Sequence, residues 1–278
     1  MKEELETQPV HESDWDYLII LDACRFDYFK KNYVDFLNGD LSKVRSRGSA
    51  TPEWLQNTFS GNRYNYTYIT ANPYINAEGI NLEKMTNEID EDWHADRKVT
   101  QVHQAWDEAW DGENGTVLPE KMREYALEKE DKEKTIIHFV QPHRPFISYE
   151  GEEGHEWMPS EKNTTSTKNR IFSKTKSIWQ PIFHNLPKPA KHYLREVLGM
   201  ENQYRKFAKQ VGEEKVKDLY TQDLRLALAE VEKLIEELDG KVVVTSEHGE
   251  SFGENYEWGH PLKSKNPALI EVPWLEVK

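Results

Sequence analysis

The clearest pattern along the chain is a set of short apolar runs that stop abruptly at polar residues. Tyr17–Leu21 is a continuous apolar run of strand length and ends at Asp22. Phe26, Tyr28, Phe29 and Tyr33 follow at helical spacing. Continuous rather than alternating apolar character predicts a central parallel strand covered on both faces. Thr67–Thr70 is a second candidate strand. Thr135–Val140 is a third and ends at Gln141-Pro142-His143. Val242–Thr245 is a fourth, entered through Asp239-Gly240. Between the last two runs, Leu219, Tyr220, Leu224, Leu228, Val231, Leu234, Ile235 and Leu238 recur at spacings of three and four, which predicts a long helix over 216–238. Strands alternating with helices predict an α/β fold, a doubly wound, mostly parallel sheet with helices on both faces.

One stretch breaks this pattern. From Glu150 to Lys191 the chain is rich in Lys, Ser, Thr and Pro, with scattered aromatic residues. It reads as a lid or a helical or irregular insertion, over about 150–200, within a single domain spanning 1–278. No internal repeat is apparent.

Composition narrows the function. A chain of 278 residues with 37% hydrophobic and 12% aromatic content can bury a sizeable core. The net charge of −14 argues against nucleic acid or an anionic membrane as partner. An anionic substrate would therefore need a local cationic site or a metal. The single cysteine, Cys24, excludes an intrachain disulfide and a Cys-based zinc site, and reads as a small buried hydrophobe. The N-terminus lacks the apolar core of a signal peptide, and no run approaches the ~20 apolar residues of a spanning helix, so a cytoplasmic location is expected. Oligomeric state is not legible.

The candidate chemistry lies where the strands end, since ligands of such sheets bind beyond the carboxyl ends. Asp22, His143, Glu247 and His248 all fall there. Glu and His donors suit Zn, Mn or Mg better than soft copper. His11, His94, His103, His155, His184 and His192 read as surface or structural. Trp93, Trp106 and Trp110 read as packing, and the acidic run 128–133 as a solvated helix end.

Four segments carry a more specific signal. They are Leu21-Asp22-Ala23-Cys24-Arg25-Phe26-Asp27, Gly48-Ser49-Ala50-Thr51-Pro52-Glu53-Trp54 closing at Gly61, His138-Phe139-Val140-Gln141-Pro142-His143-Arg144-Pro145-Phe146, and Thr245-Ser246-Glu247-His248-Gly249-Glu250-Ser251-Phe252-Gly253-Glu254 with Trp258-Gly259-His260. In this order they resemble the alkaline phosphatase superfamily, in its sulfatase-like branch, from about Asp16 to the end. The closing Glu271-Val272-Pro273-Trp274-Leu275 fits the same resemblance.

The resemblance implies roles. Asp22, Glu247 and His248 match metal-binding positions. Thr51 matches the nucleophile and a further metal ligand, because the motif's glycine, Gly61, lies ten positions on. His143 matches the histidine that contacts the transferred group, and His260 is either a metal ligand or a substrate contact. Arg25 and Arg144 are candidate substrate-binding cations. This sequence departs from the family at several points. Glu247 stands where Asp is usual. Pro52 directly follows Thr51, which keeps Ser49 as an alternative nucleophile. Ala23 and Gln141 replace acidic residues, so one divalent ion (Mn, Zn, Mg or Ca) is expected rather than two. No Cys or Ser stands in a formylglycine motif.

The expected activity is metal-dependent hydrolysis or transfer of a phosphate ester, on a small-molecule, glycan or lipid substrate, with Thr51 as nucleophile. Two alternatives stay open: a sulfatase that works without formylglycine, and a weakly catalytic protein that binds phosphorylated or sulfated glycans.

Overall fold

The computed structural model describes residues 5–61, 63–77, 94–131, 134–151 and 202–278. The expected insertion at about 150–200, Trp93, His155, His184 and His192 lie outside the described residues.

All four predicted strands form, and they are neighbours. The main sheet has seven strands in the order β2-β9-β6-β1-β5-β3-β4. The predicted strands are β1 (Tyr17–Leu21), β3 (Tyr64–Thr70), β5 (Thr135–Phe139) and β6 (Val242–Thr245). They pair in parallel: β6 with β1, β1 with β5, and β5 with β3. β4 (Val99–Gln104) continues this parallel set beside β3. β9 (Glu271–Val277) runs antiparallel to both β6 and β2 (Gly39–Arg45), so the sheet is mixed at that edge. A small hairpin, β7 (Ser251–Phe252) with β8 (Trp258–Gly259), stands apart.

Every residue of β1 is buried. Its side chains alternate between two cores. Tyr17, Ile19 and Leu21 enter one, with Phe29 of α1 (Phe26–Asn32), Met122 of α3 (Pro119–Lys129), and Leu224, Leu228 and Val231 of α5 (Glu213–Glu237). Leu18 and Ile20 enter the other, with Trp54 and Leu55 of α2 (Thr51–Thr58) and Trp15. Helices therefore cover both faces, and each fully buried Leu or Ile contributes about 1.5–3 kcal/mol. α5 matches the long predicted helix, starting three residues earlier. Trp106 and Trp110 pack against the first core, and Cys24 is fully buried within it. Among the described residues, no helix is long and apolar enough to cross a membrane.

A third cluster joins α4 (Gln203–Val211) and the start of α5 to the loop after β5 and the β7-β8 hairpin, through Phe146, Tyr204, Phe207, Tyr220, Phe252 and Trp258. Two polar ties from α5 steady the strand-end loops. The Tyr220 hydroxyl donates to the Ala23 carbonyl at 2.7 Å and accepts from the Arg25 amide at 2.8 Å. Buried Asp223 accepts from the Ile147 amide at 2.7 Å, the Ser148 amide at 3.0 Å and the Ser148 hydroxyl at 2.6 Å.

Removing the Asp223 carboxylate leaves three half-buried donors without this acceptor and a cavity where a buried, charged group stood. Asp223→Ala is expected to lower stability by about 2–4 kcal/mol, and Asp223→Asn by less. Urea denaturation measures this, and an unchanged midpoint for Asp223→Ala would show that the loop does not depend on this tie.

Candidate active site

The site grows from the alternation of the strands. Leu18 and Ile20 face α2, so the next residue in that row, Asp22, faces α2 as well. Ile136 faces the same way, which brings His138 of β5 to that side. β6 ends at Thr245, and Glu247 and His248 follow in the loop beyond it. Thr51 is the first residue of α2, at the positive end of its dipole. Ala23 takes a positive φ of 57°, which turns the chain sharply away after Asp22.

These five residues converge. Thr51 Oγ1 lies 3.2 Å from Glu247 Oε1 and 3.2 Å from His248 Nε2. His248 Nε2 is 3.4 Å from Glu247 Oε1 and 4.0 Å from Asp22 Oδ1. His248 Nδ1 donates to the Gly249 carbonyl at 2.8 Å, which leaves the Nε2 lone pair facing the Thr51 hydroxyl. Asn72, just past β3, donates to Asp22 Oδ2 at 2.7 Å. His138 Nε2 sits 3.6 Å from Glu247 Oε1. Asp22, Thr51, His138, Glu247 and His248 are all buried.

The loop after β6 is held on all sides. Ser46 Oγ donates to the Glu247 carbonyl, and Ser246 Oγ accepts from the Cys24 amide at 2.8 Å. Gln8 reaches in from the N-terminal segment, donating to Thr245 Oγ1 at 2.8 Å and to the Ser246 carbonyl at 2.9 Å. Gly249 is required by close approach, since a Cβ there would lie 2.0 Å from the Ala268 carbonyl oxygen. These ties hold the backbone on either side of Glu247.

A second cluster lies beside the first. His260 Nδ1 contacts both oxygens of buried Glu250, at 3.2 and 3.3 Å. The His260 ring centroid is 4.6 Å from that of His248 and 5.1 Å from that of His143. Gly259, with φ of 74°, permits the turn that presents His260. Ligand atoms of His143, Glu250 and His260 all lie within 4.8 Å of one another. His260 thus sits with Glu250 and His143 rather than with Asp22, His138 and Glu247.

The electrostatics of the two clusters differ. Burial, and then the charge of Glu247, push the Asp22 carboxyl well above the usual carboxylate range. Burial opposes ionisation of Glu247 too, but the imidazoles of His248 and His138 outweigh it and hold the carboxyl low. Burial lowers His248 to about 4, against the pull of Glu247. Burial and neighbouring His260 push His143 well down. For His260 burial is overcome by Glu250, and its pKa is raised.

The remaining candidates are engaged elsewhere. Arg25 binds Asp27 through Nε and Nη2, each at 2.9 Å, and Glu254 at 2.7 Å. It lines a cleft of about 780 Å³ with Phe26, Lys30, Lys31 and Lys43, and the wall of that cleft includes none of Thr51, Glu247 or His248. Arg144 lies over the rings of Tyr204 and Phe207, at 5.5 and 4.9 Å. Ser49 Oγ bonds Glu53 at 2.8 Å and the Pro261 carbonyl at 2.9 Å, so it serves the turn before α2. Asn72, His138, Glu250 and Gln8 were not singled out by sequence reasoning. Glu250 and His138 both lie inside the four segments of the resemblance, which assigns neither a role.

The donor set fits a divalent cation. Asp22 Oδ1 and His138 Nε2 are buried and have no hydrogen-bond partner. Two buried carboxylates sharing one space resist joint ionisation unless a positive charge joins them. Carboxylate, hydroxyl and imidazole donors suit a hard or borderline ion.

This arrangement has a pH signature. The folded Asp22 pKa is raised above its unfolded value, so the ion-free fold loses stability as pH climbs from the unfolded value towards the folded one. A cation binds the ionised form and releases that proton, so its affinity rises over the same window. Thermal melts with and without added Zn or Mn are expected to show a stabilising shift that grows with pH until Asp22 is fully ionised. Melts that no divalent ion moves at any pH would remove the cation from the site.

Neither a protein-family model nor a curated protein sequence matches this chain. Solved structures do. The soluble domain of lipooligosaccharide phosphoethanolamine transferase A from Neisseria meningitidis matches with a TM-score of 0.50 and 13% identity, over 94% of this chain and 75% of that one. The integral membrane form of the same transferase matches with a TM-score of 0.50 and 11% identity, over 99% of this chain and 49% of that one. The chain spans about half the length of that membrane protein. With its mixed seven-stranded sheet and helices on both faces, it has the alkaline phosphatase-like α/β fold of these structures.

Proposed function

We propose that this chain hydrolyses or transfers a phosphate ester through a Thr51 nucleophile, with one divalent cation held by Asp22, Thr51, Glu247 and His248. One observation carries the reading: the buried Thr51 hydroxyl, at the start of α2, lies 3.2 Å from both Glu247 and His248. Bound there, a divalent ion would acidify the Thr51 hydroxyl and neutralise charge on the oxygens of the transferred group.

The protein's own groups supply the rest. Thr51 Oγ1, having lost its proton to solvent, forms the bond to phosphorus as the ester oxygen leaves with a proton from His260; water or a second alcohol then displaces Thr51 and gives its own proton back to His260. His260, whose protonated form Glu250 favours, is the best-placed group to give a proton to the leaving oxygen. His143 donates Nδ1–H to the Arg144 carbonyl at 2.5 Å, so its neutral form offers Nε2 as an acceptor beside His260. The α2 dipole favours negative charge developing at Thr51.

Transfer deserves testing beside hydrolysis, because the same fold in the Neisseria protein is that of a phosphoethanolamine transferase. A sulfatase relying on formylglycine is disfavoured: Cys24 is buried in the core, and the Ser49 hydroxyl is bonded within its own turn.

Thr51→Ala is expected to reduce turnover of an aryl phosphodiester or a phosphoethanolamine ester by at least about a thousandfold, while costing ~1 kcal/mol or less of stability. Intact mass after brief reaction should show a phosphoryl adduct on the wild type and none on the variant. Ser49→Ala is expected to retain turnover. Near-normal metal-dependent activity in Thr51→Ala would refute the nucleophile assignment.

A further inference from the structure

His138 is the odd residue of β5. Its side chain is fully buried in a strand otherwise made of Thr135, Ile136, Ile137 and Phe139. Its Nδ1 lies 3.0 Å from the Tyr68 hydroxyl. Its Nε2 has no hydrogen-bond partner and is 3.6 Å from Glu247 Oε1, too far for a hydrogen bond. Ligand atoms of Asp22, His138 and Glu247 all lie within 4.8 Å of one another. An unpartnered buried imidazole nitrogen beside an unpartnered buried carboxylate oxygen needs something between them.

We propose that His138 is a fifth protein ligand of the cation, and that it makes the site selective for a borderline transition-metal ion of the zinc class. This rests on the reading that Asp22, Thr51, Glu247 and His248 hold such an ion. Two donors bonded to one zinc at 2.0–2.2 Å sit about 3–4 Å apart. The separations within the site, 3.2 Å for Thr51 to Glu247 and to His248, 3.4 Å for His248 to Glu247, 3.6 Å for His138 to Glu247 and 4.0 Å for His248 to Asp22, fall within that span or at its upper end. Tyr68 completes the arrangement. When Nδ1–H donates to the Tyr68 oxygen, the lone pair of Nε2 is directed at the shared space, and the ring is fixed from behind. The donor set then holds two imidazoles, two carboxylates and a hydroxyl. A second imidazole favours zinc-like ions over magnesium and calcium, which prefer oxygen donors.

The test is heteronuclear NMR of the full chain, loaded with a spin-half cadmium isotope and carrying nitrogen-labelled histidine. Two imidazole nitrogens are expected to show direct coupling to the metal, one from His248 and one from His138. Loss of the second coupling in His138→Gln assigns it. Zinc affinity should fall about tenfold or more in His138→Gln, with magnesium affinity little changed. Tyr68→Phe should weaken zinc binding less while keeping both couplings. If only His248 couples, or if Nε2 of His138 keeps its proton in the loaded protein, the inference is overturned while the four-ligand reading stands. If the chain binds no cadmium, or binds it as tightly without His248, the four-ligand reading fails as well.

Discussion

Asp22 and Glu247 are two carboxylates enclosed in one small space at the carboxyl ends of β1 and β6, and their repulsion governs what surrounds them. Burial raises the cost of charging either one, and the charge of Glu247 raises it further for Asp22. The neighbours answer that cost with donors and positive charge. Asn72 binds one oxygen of Asp22, and His248 and His138 favour the ionised form of Glu247. One oxygen of Asp22 is left without a partner. The backbone around the pair is closely held. β1 is buried between two cores, Gly249 packs against the Ala268 carbonyl, and Gln8 and Ser46 pin the loop after β6. Rigid strands bring the carboxylates together, and the chemistry follows from their being unable to part.

Much of this was legible in the sequence. Continuous apolar runs located β1, β3, β5 and β6, because strands buried on both faces carry little polar interruption. The edge strands were not found. β2 reads Gly39-Asp40-Leu41-Ser42-Lys43-Val44-Arg45, with only Val44 buried, so its apolar signal is thin. β4 has the same weakness, since of its residues only Val99 is buried. β9 was noticed only as a motif and runs antiparallel, which apolar content does not reveal. In the site, Asp22, Thr51, Glu247 and His248 were chosen from motifs, and the structure brings them together. His138 was passed over as part of a strand. Counting by twos from Ile136 would have placed it on the α2 face with Asp22. Gln8 had no signal, because its role comes from a contact 237 residues away along the chain.

The arginines show why residue type alone misleads. Arg25 follows Asp22 closely in sequence, but Asp27 and Glu254 already balance its charge. Glu254 comes from the β7-β8 hairpin region, so Arg25 ties that hairpin to the start of α1. Its cation–π contacts with Tyr28 and Phe252, at 5.0 and 5.1 Å, strengthen the same tie. Arg144 rests on α4 aromatic rings in a similar way. Both hold up the loops that carry site residues.

A protein of net charge −14 must still attract a negatively charged group if it acts on phosphate esters. With Arg25 balanced by carboxylates, positive charge near Thr51 has few sources among the described residues. His248 and His143 are pushed towards neutrality by burial, and only His260 is shifted towards its charged form. The remaining attraction has to come from the end of the α2 dipole and from an ion seated between the carboxylates. A cation there would do more than balance Asp22 and Glu247. It would turn a pocket whose residues are mainly acidic or neutral into one that can receive an anion, so that binding of an anionic substrate and binding of the metal would be one linked event.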